Sequence, residues 1–424
     1  MLNRWIFPLL VAVIAATSVT AFATDWPQWR GPNRDGKSDE TGLFKTWGSN
    51  GPPLVWTAKG LGAGFSSVSV VDGKIYTMGT RGNGQYLICL DEKTGKETWS
   101  LKFSGKPNVS YGPGPRGTPT VDEDRVYGIG ADGALICADI KTGKRVWSKH
   151  LVNDFKGKMM SGWGFSESPL VDGKLLLCTP GGSQGMMVAL DKKSGRGVWA
   201  TVMPKLGGKG KDGAGYGSIV VSKGGGVKQY VQMIGRGVIG VRASDGRFMW
   251  VYNNVANGTA NIPTPIVAGD FVFGSSSYGT GSGLVRLVRS GSGVVAKQQY
   301  FLDKNTFQNH HGGMVMVGEY IYSGHNHGQG FPICIQASTG KVVWGGDQRG
   351  PGDGSAAVMY ADKHLVFRYQ NGVVAIIEAN PKKYVLKAKF TPAYVKAPSW
   401  AHPVIANGML YLREQDQLMC YKLK

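Results

Sequence analysis

His325-Asn326-His327 places two histidines one residue apart. In an extended strand that spacing puts both imidazoles on one face, where they can chelate a metal ion. Completing the ligand set would take His311, Glu319 or Asp347. A plain loop accounts for His-Asn-His-Gly as well, and His311-Gly312-Gly313 can equally serve as an entry to a strand. A second group of residues sits in Gly-rich segments spread along the chain. It comprises Tyr111 and Arg116, Trp163 and Glu167, Tyr216, Asn261, Asn309 to His311, Asp353, and Trp400 with His402. Flat rings, backbone carbonyls and a guanidinium could bind a planar anionic ligand, with Arg116 supplying the charge. Glu167 and Asp353 are the carboxylates available for proton transfer. The alternative is that glycine serves close packing there and the aromatics fill space. No Ser-His-Asp order and no paired-carboxylate spacing stands out. The Gly-rich run from Gly207 to Gly217 opens no helix and so lacks the context of a phosphate loop.

These segments recur because the chain repeats. Trp99, Trp147, Trp199, Trp250 and Trp344 each follow a glycine by four residues, and a small residue stands ten positions before each. The first three copies read Leu90-Asp91-Glu92-Lys93-Thr94-Gly95, Ala138-Asp139-Ile140-Lys141-Thr142-Gly143 and Leu190-Asp191-Lys192-Lys193-Ser194-Gly195. From Trp99 onward the intervals are 48, 52 and 51 residues, then 94, about two periods. Each unit reads as four short strands with Asp-Gly, Asn-Gly or Thr-Gly turns, and no sustained 3.6-residue apolar period appears. Units that cannot bury their own faces must stack into a solenoid or a ring. Eight unit starts, near Phe65, Gly117, Glu167, Tyr216, Asn261, His311, Asp353 and Trp400, predict an all-β, eight-bladed β-propeller of four-stranded antiparallel blades. The fifth unit has Lys297 where Trp is expected, and the seventh has Leu386 near that slot. The eighth unit ends after three strands. Leu54-Val55-Trp56-Thr57-Ala58 is expected to supply its fourth, closing the ring and removing free sheet edges. The Gly-rich segments, which lead into the first strands, then line one mouth of the central channel.

Residues 1–23 read as a signal peptide, with Asn3-Arg4, an apolar run and an Ala21-Phe22-Ala23 cleavage site. Residues 24–52 form a lead-in and 53–424 the propeller, in a periplasmic or secreted protein with no transmembrane segment after cleavage near Ala23. Cys89, Cys137, Cys334 and Cys420 fall at one register position in different units, too far apart to bridge. They are expected to be small buried apolar residues. The formal charge of +20 suits a solvated surface, or an anionic polymer or envelope surface as partner. No nucleic-acid recognition module is present. The chain is expected to be a monomer.

The motif Leu-Asp-x-x-Thr-Gly-x-x-x-Trp resembles the repeat of PQQ-like propellers, a family that includes quinoprotein alcohol dehydrogenases and the propeller lipoprotein of the outer-membrane β-barrel assembly machinery. The stretch Asp25-Trp26-Pro27-Gln28-Trp29-Arg30-Gly31-Pro32-Asn33-Arg34-Asp35-Gly36 is similar to the opening of many exported PQQ-like repeat proteins. The resemblance implies that each repeated Trp packs between neighbouring blades. It also raises a PQQ- and calcium-dependent oxidoreductase acting on an alcohol or sugar as an alternative. That family's dehydrogenases carry an adjacent Cys-Cys pair, which this chain lacks, and their calcium-binding Glu, Asn and Asp find no residue-by-residue match here. The expectation is therefore a binding or scaffolding module for a protein or an extracellular polymer, with no cofactor firmly implied. Under that expectation Arg116, Trp163, Tyr216, Asn261, His311, Trp400 and His402 are the candidate ligand-binding residues. Glu167 and Asp353 are the candidate catalytic ones, and His325 with His327 the candidate metal ligands.

Overall fold

The repeated Asp-x-x-Thr-Gly segment is a self-capped turn. Asp91 Oδ1 accepts from the Thr94 backbone N–H at 3.1 Å and from its hydroxyl at 2.9 Å. Asp139 does the same for Thr142, and Asp191 for Ser194. The following glycine takes a left-handed φ, +69° at Gly95 and +68° at Gly143, which a residue with a Cβ adopts only at a cost. These turns join the third and fourth strands of each unit, and β-branched and aromatic residues fill the strands between. The computed structural model describes residues 25–43, 47 and 50–424. The expected signal peptide lies outside the described residues.

Eight antiparallel sheets result, seven of them four-stranded, and they run in chain order around a ring. The first comprises Ser69–Val71, Lys74–Arg81, Gly84–Asp91 and Glu97–Gly105. The eighth contains Val404–Ala406, Met409–Glu414 and Gln417–Lys422, and its outer strand is Leu54–Ala58, paired antiparallel to Gln417–Lys422. The closing strand is thus the one the sequence predicts. Helix is confined to Leu151–Phe155 and a 3-10 turn at Gly224–Gly226 among the described residues. All five cysteines are free and buried.

The Trp periodicity has a physical cause. The indoles of Trp56, Trp99 and Trp147 each lie against the turn glycine of the next blade and donate to the carbonyl three residues before it. Trp199 covers Gly246 without such a bond, and Trp250 donates to Gln229 of its own blade. Trp56 reaches Glu92 O at 3.0 Å, Trp99 reaches Ile140 O at 3.0 Å, and Trp147 reaches Lys192 O at 3.1 Å. A Cβ on Gly95, Gly143 or Gly195 would stand 2.6–2.7 Å from that indole, so the glycine is required twice, for φ and for contact. Two expectations for the degenerate units are corrected. In the fifth blade the hairpin of Gly281–Ser290 and Gly293–Asp303 is long. Tyr300, not Lys297, therefore stands in the Trp slot opposite Leu284. Its hydroxyl donates to Ala337 O at 2.6 Å and its ring covers Gly340, as an indole would. In the seventh blade the register shift puts Ala388 opposite Ile376, leaving Leu386 exposed.

The lead-in does more than lead in. Residues 25–36 cross the central channel, hydrogen-bonding to six blades and packing a ring against a seventh. Trp26 pairs with Val70, Val121 donates to Pro27 O, and Arg34 donates to Ser168 O and Pro169 O. Trp29 donates to Thr264, Arg30 to Met314 O, and Tyr360 donates to Gly36 O. The Trp29 ring packs edge-on to His402 at 4.5 Å. Lys37–Ser38 then adds a short parallel strand to Ala356–Ala361 of the seventh blade. Arg30 lines the cavities on both sides of this segment, which therefore closes the channel between them.

Candidate functional site

Above the plug, one mouth of the ring holds a cavity of about 480 Å³, within the usual range for small-molecule sites. Its floor is Trp29 and Arg30, and its walls are the segments entering the first strands. Six rings close a circuit around it. Tyr111 meets Trp163 at 5.6 Å between centroids, Trp163 meets Tyr278 at 6.1 Å, and Tyr278 meets His310 at 5.2 Å. His310 meets His311 at 4.4 Å, His311 meets Trp400 at 5.1 Å, and Trp400 returns to Tyr111 at 5.9 Å. Tyr111 sits on the lip, 64% exposed, with φ +62°. Tyr278 and Asn326 are also left-handed, at +57° and +68°. Non-glycine residues in that region cost roughly 1–3 kcal/mol each and gather where structure serves function.

The imidazoles are kept neutral. Burial, with neighbouring imidazoles adding to it, pushes His310 down to about 2 and His311 to about 3. Burial and then the Arg30 charge push His402 to about 3. His310 matches its neutral form, with Nδ1 2.7 Å from Ser355 Oγ and Nε2 3.0 Å from the Tyr278 hydroxyl. Arg116 lines the cavity and is held by three bonds, Nη1 to Gly114 O and Nη2 to Ser110 O and Gly112 O, which engage three of the five N–H donors of a guanidinium. Its guanidinium lies over Phe65, 5.7 Å from the ring centre. Burial lowers Arg116 to about 10, still cationic at neutral pH.

Six of the seven candidate ligand-binding residues come together here: Arg116, Trp163, Tyr216, His311, Trp400 and His402. Asn261 does not, because its buried side chain ties Ile234 O and Gly235 O to the Asn257 N–H. Neither candidate carboxylate lines the cavity. Glu167 is buried behind the wall, accepting from the Thr179 N–H at 2.6 Å, the Thr179 hydroxyl at 2.8 Å and Gln232 at 2.8 Å. Burial outweighs those bonds and raises its carboxyl to about 7. Asp353 lies on the surface, 3.3 Å from Arg349. The two histidines of the chelate pattern part company, since left-handed Asn326 ends the strand between them. His325 turns inward to accept from the Gln308 N–H, while His327 enters the cavity beside Ser277 and Tyr278. No cluster of three or more His, Cys, Asp or Glu able to hold a metal occurs among the described residues. Trp29, Arg30 and Tyr278 also line the cavity, without any signal in the repeat register, since two belong to the plug.

Comparison with known proteins agrees with this architecture. Residues 47–161 and 83–346 match the family described as outer membrane protein assembly factor BamB. Among solved structures, the fold is similar to quinohemoprotein alcohol dehydrogenase ADHIIG from Pseudomonas putida HK5. That similarity is at 16% identity and TM-score 0.64, over 94% of this chain and 80% of that one. The quinohemoprotein alcohol dehydrogenase from Comamonas testosteroni gives 13% identity and TM-score 0.65 over the same shares. The computationally designed Ika8 protein gives 9% and 0.62, over 88% of this chain and all of that one. A search of curated proteins finds no match. At these identities the structural likenesses speak to the fold alone. The repeat, the eight-bladed ring and a family match running from residue 47 to residue 346 agree, and the chain belongs to the PQQ-like β-propeller family described as outer membrane protein assembly factor BamB.

Proposed function

We propose that this protein is an exported binding module that engages a ring-shaped group of an extracellular polymer or protein at its aromatic mouth. The observation that carries this reading is the closed circuit of six rings with Tyr111 held exposed and left-handed at its lip. Strain and exposed aromatic surface together have a purpose in recognition and none in holding the ring of blades closed. The plug supports it as well, because a rigid closed floor favours a docking pocket over a passage.

The family's quinone cofactor and its calcium fit this donor set poorly. Calcium takes about six to eight oxygen ligands, chiefly carboxylates and carbonyls. No Asp or Glu lines the cavity among the described residues, and its titratable side chains are arginines, tyrosines and histidines. Glu167 and Asp353 are not placed to act as a base on a ligand held there. No quinone-dependent step is therefore derived.

The test is retention of the purified chain on cell-envelope material, wild type against Trp163→Ala. The variant is expected to lose at least about tenfold in affinity, roughly 1.4 kcal/mol, while its melting point stays within about 2 °C of wild type, as for a site outside the blade interfaces. Equal retention of the two proteins would place binding elsewhere and reject the reading.

A further inference from the structure

Two arginines near the axis form no ion pair, with Asp35 and Glu167 acting on their charges only from outside salt-bridge contact. Arg368 forms a buried ion pair with Glu414 at 2.5 Å. Arg30 and Arg34, 6% and 5% exposed, form no ion pair among the described residues. Arg30 Nη2 donates to the carbonyls of Asp35 and Met314, and its Nη1 is buried with no partner. Arg34 meets Gln28 and the carbonyls of Ser168 and Pro169. Burying a cation without an opposite charge costs several kcal/mol even after relaxation, and carbonyl dipoles offset only part of that. Two cations without an ion pair among the described residues, buried Arg30 in the floor and half-buried Arg116 in the wall, line the same cavity. Among the described lining residues no carboxylate balances them. His311 Nε2 is likewise buried without a partner. Low-dielectric concave walls focus a field of one sign, so the cavity is attractive to an anion before any direct contact forms.

The rest of the lining sets the shape of that anion. Aromatic faces are electron-rich and suit the apolar, weakly positive C–H face of a sugar ring. Trp163, Tyr278 and Trp400 present such faces within one circuit. Neutral imidazoles both donate and accept, as a ring of hydroxyls requires, and Ser166, Ser218, Thr259 and Gln370 add further partners. A surface carrying a formal charge of +20 would raise the local concentration of an acidic polymer and speed its arrival.

We propose that the mouth cavity binds an acidic sugar residue, its ring against the aromatic circuit and its carboxylate drawn toward Arg30 and Arg116, as the terminal unit of an acidic polysaccharide. This rests on the binding reading above and names its ligand class. It also moves part of the charge from Arg116 to a residue of the plug.

The experiment titrates the full mature chain with galacturonate trimer, galactose trimer and free galacturonate, followed by tryptophan fluorescence and calorimetry at low and high salt. The acidic trimer should bind at least about tenfold tighter than the neutral one, with that advantage shrinking in salt. Free galacturonate should retain most of the affinity, because the terminal unit alone is seated, and its failure to bind while the trimer binds would overturn the terminal-unit assignment. Arg30→Lys should keep the preference and Arg30→Gln should lose it. Because Arg30 also anchors the plug, Arg116→Gln against Arg116→Lys supplies a second pair with the same expectation. Equal binding of the neutral and acidic trimers would overturn the inference and leave the mouth as a binding site. Unchanged binding of the acidic trimer by Trp163→Ala would overturn it by placing the sugar elsewhere. Binding of neither trimer, with envelope retention still dependent on Trp163, would overturn the sugar and leave a protein partner.

Discussion

Acidification from pH 7 to pH 5 should remove about 5 kcal/mol of stability, an appreciable part of the roughly 5–15 kcal/mol typical of folded proteins. One buried histidine, His325, and three half-buried ones, His310, His311 and His402, are responsible. Burial holds His310 at about 2, His311 and His402 at about 3, and His325 at about 4. In the unfolded chain each titrates near 6.5. Their folded values are depressed, so the unfolded state binds protons first, and stability falls as pH drops below about 6.5. At pH 5 each contributes a loss of about 2 kcal/mol, at 1.36 kcal/mol per pH unit. Glu167 acts in the opposite sense. Its folded value of about 7 lies above its unfolded one, so its stabilising protonation is complete below about 4.5 and is lost as pH rises through 7. Over the same interval it returns about 2–3 kcal/mol. Four groups outweigh one, and the net direction is acid lability. Urea unfolding at the two pH values reads this directly, through the midpoint at constant slope. In Glu167→Gln the loss on acidification should grow, even though an amide facing three donors lowers stability overall. A midpoint unchanged between pH 7 and pH 5 would mean that the imidazoles are solvated and the mouth is more open than described.

Trp147→Ala should cost about 3 kcal/mol, the low end for removing an aromatic core side chain, because the ring is only half-buried. The indole spans two blades, covering Gly195 and donating to Lys192 O, the same carbonyl that takes the Tyr127 hydroxyl at 3.1 Å. Trp147→Phe keeps a flat face and loses the hydrogen bond, so it should cost about 1 kcal/mol beyond lost area. Gly195→Ala attacks the same contact from the other blade. Its φ is +71° and its Cβ would sit 2.7 Å from the indole. Thermal and urea unfolding of the three variants should rank Ala at 147 as worst and Phe as mildest. A neutral Trp147→Ala would refute the account of the repeat given above.

Ring size, blade register, the closing strand and the role of the cysteines were all readable from the sequence, because each rests on a local pattern repeated many times. The degenerate blades were not. A hairpin longer by about three residues on each strand moves Tyr300, opposite Leu284, into the slot that counting from the turn assigns to Lys297. The mouth was legible as a set of segments, since every unit enters its first strand at the same place. Whether a given side chain there turns inward depends on loop geometry that no spacing encodes. Asn261 and Glu167 turn into the wall, Asp353 turns to solvent, and one left-handed residue, Asn326, separates His325 from His327. The plug escaped detection for a different reason. Asp25 to Gly36 carry a recognisable motif, yet their partners lie in seven blades spread over the whole chain, from Val70 to His402. Arg30 and Trp29 became site residues only once those distant contacts were in place.

Titration of the mature protein with pyrroloquinoline quinone and calcium, followed by tryptophan fluorescence and melting temperature, bears most directly on whether the mouth is a binding pocket and not a quinone site. The carboxylate-free lining predicts no saturable binding and no thermal shift. Saturable micromolar binding with a raised melting point, abolished in Trp163→Ala, would contradict the account and make the protein a quinone-dependent oxidoreductase candidate.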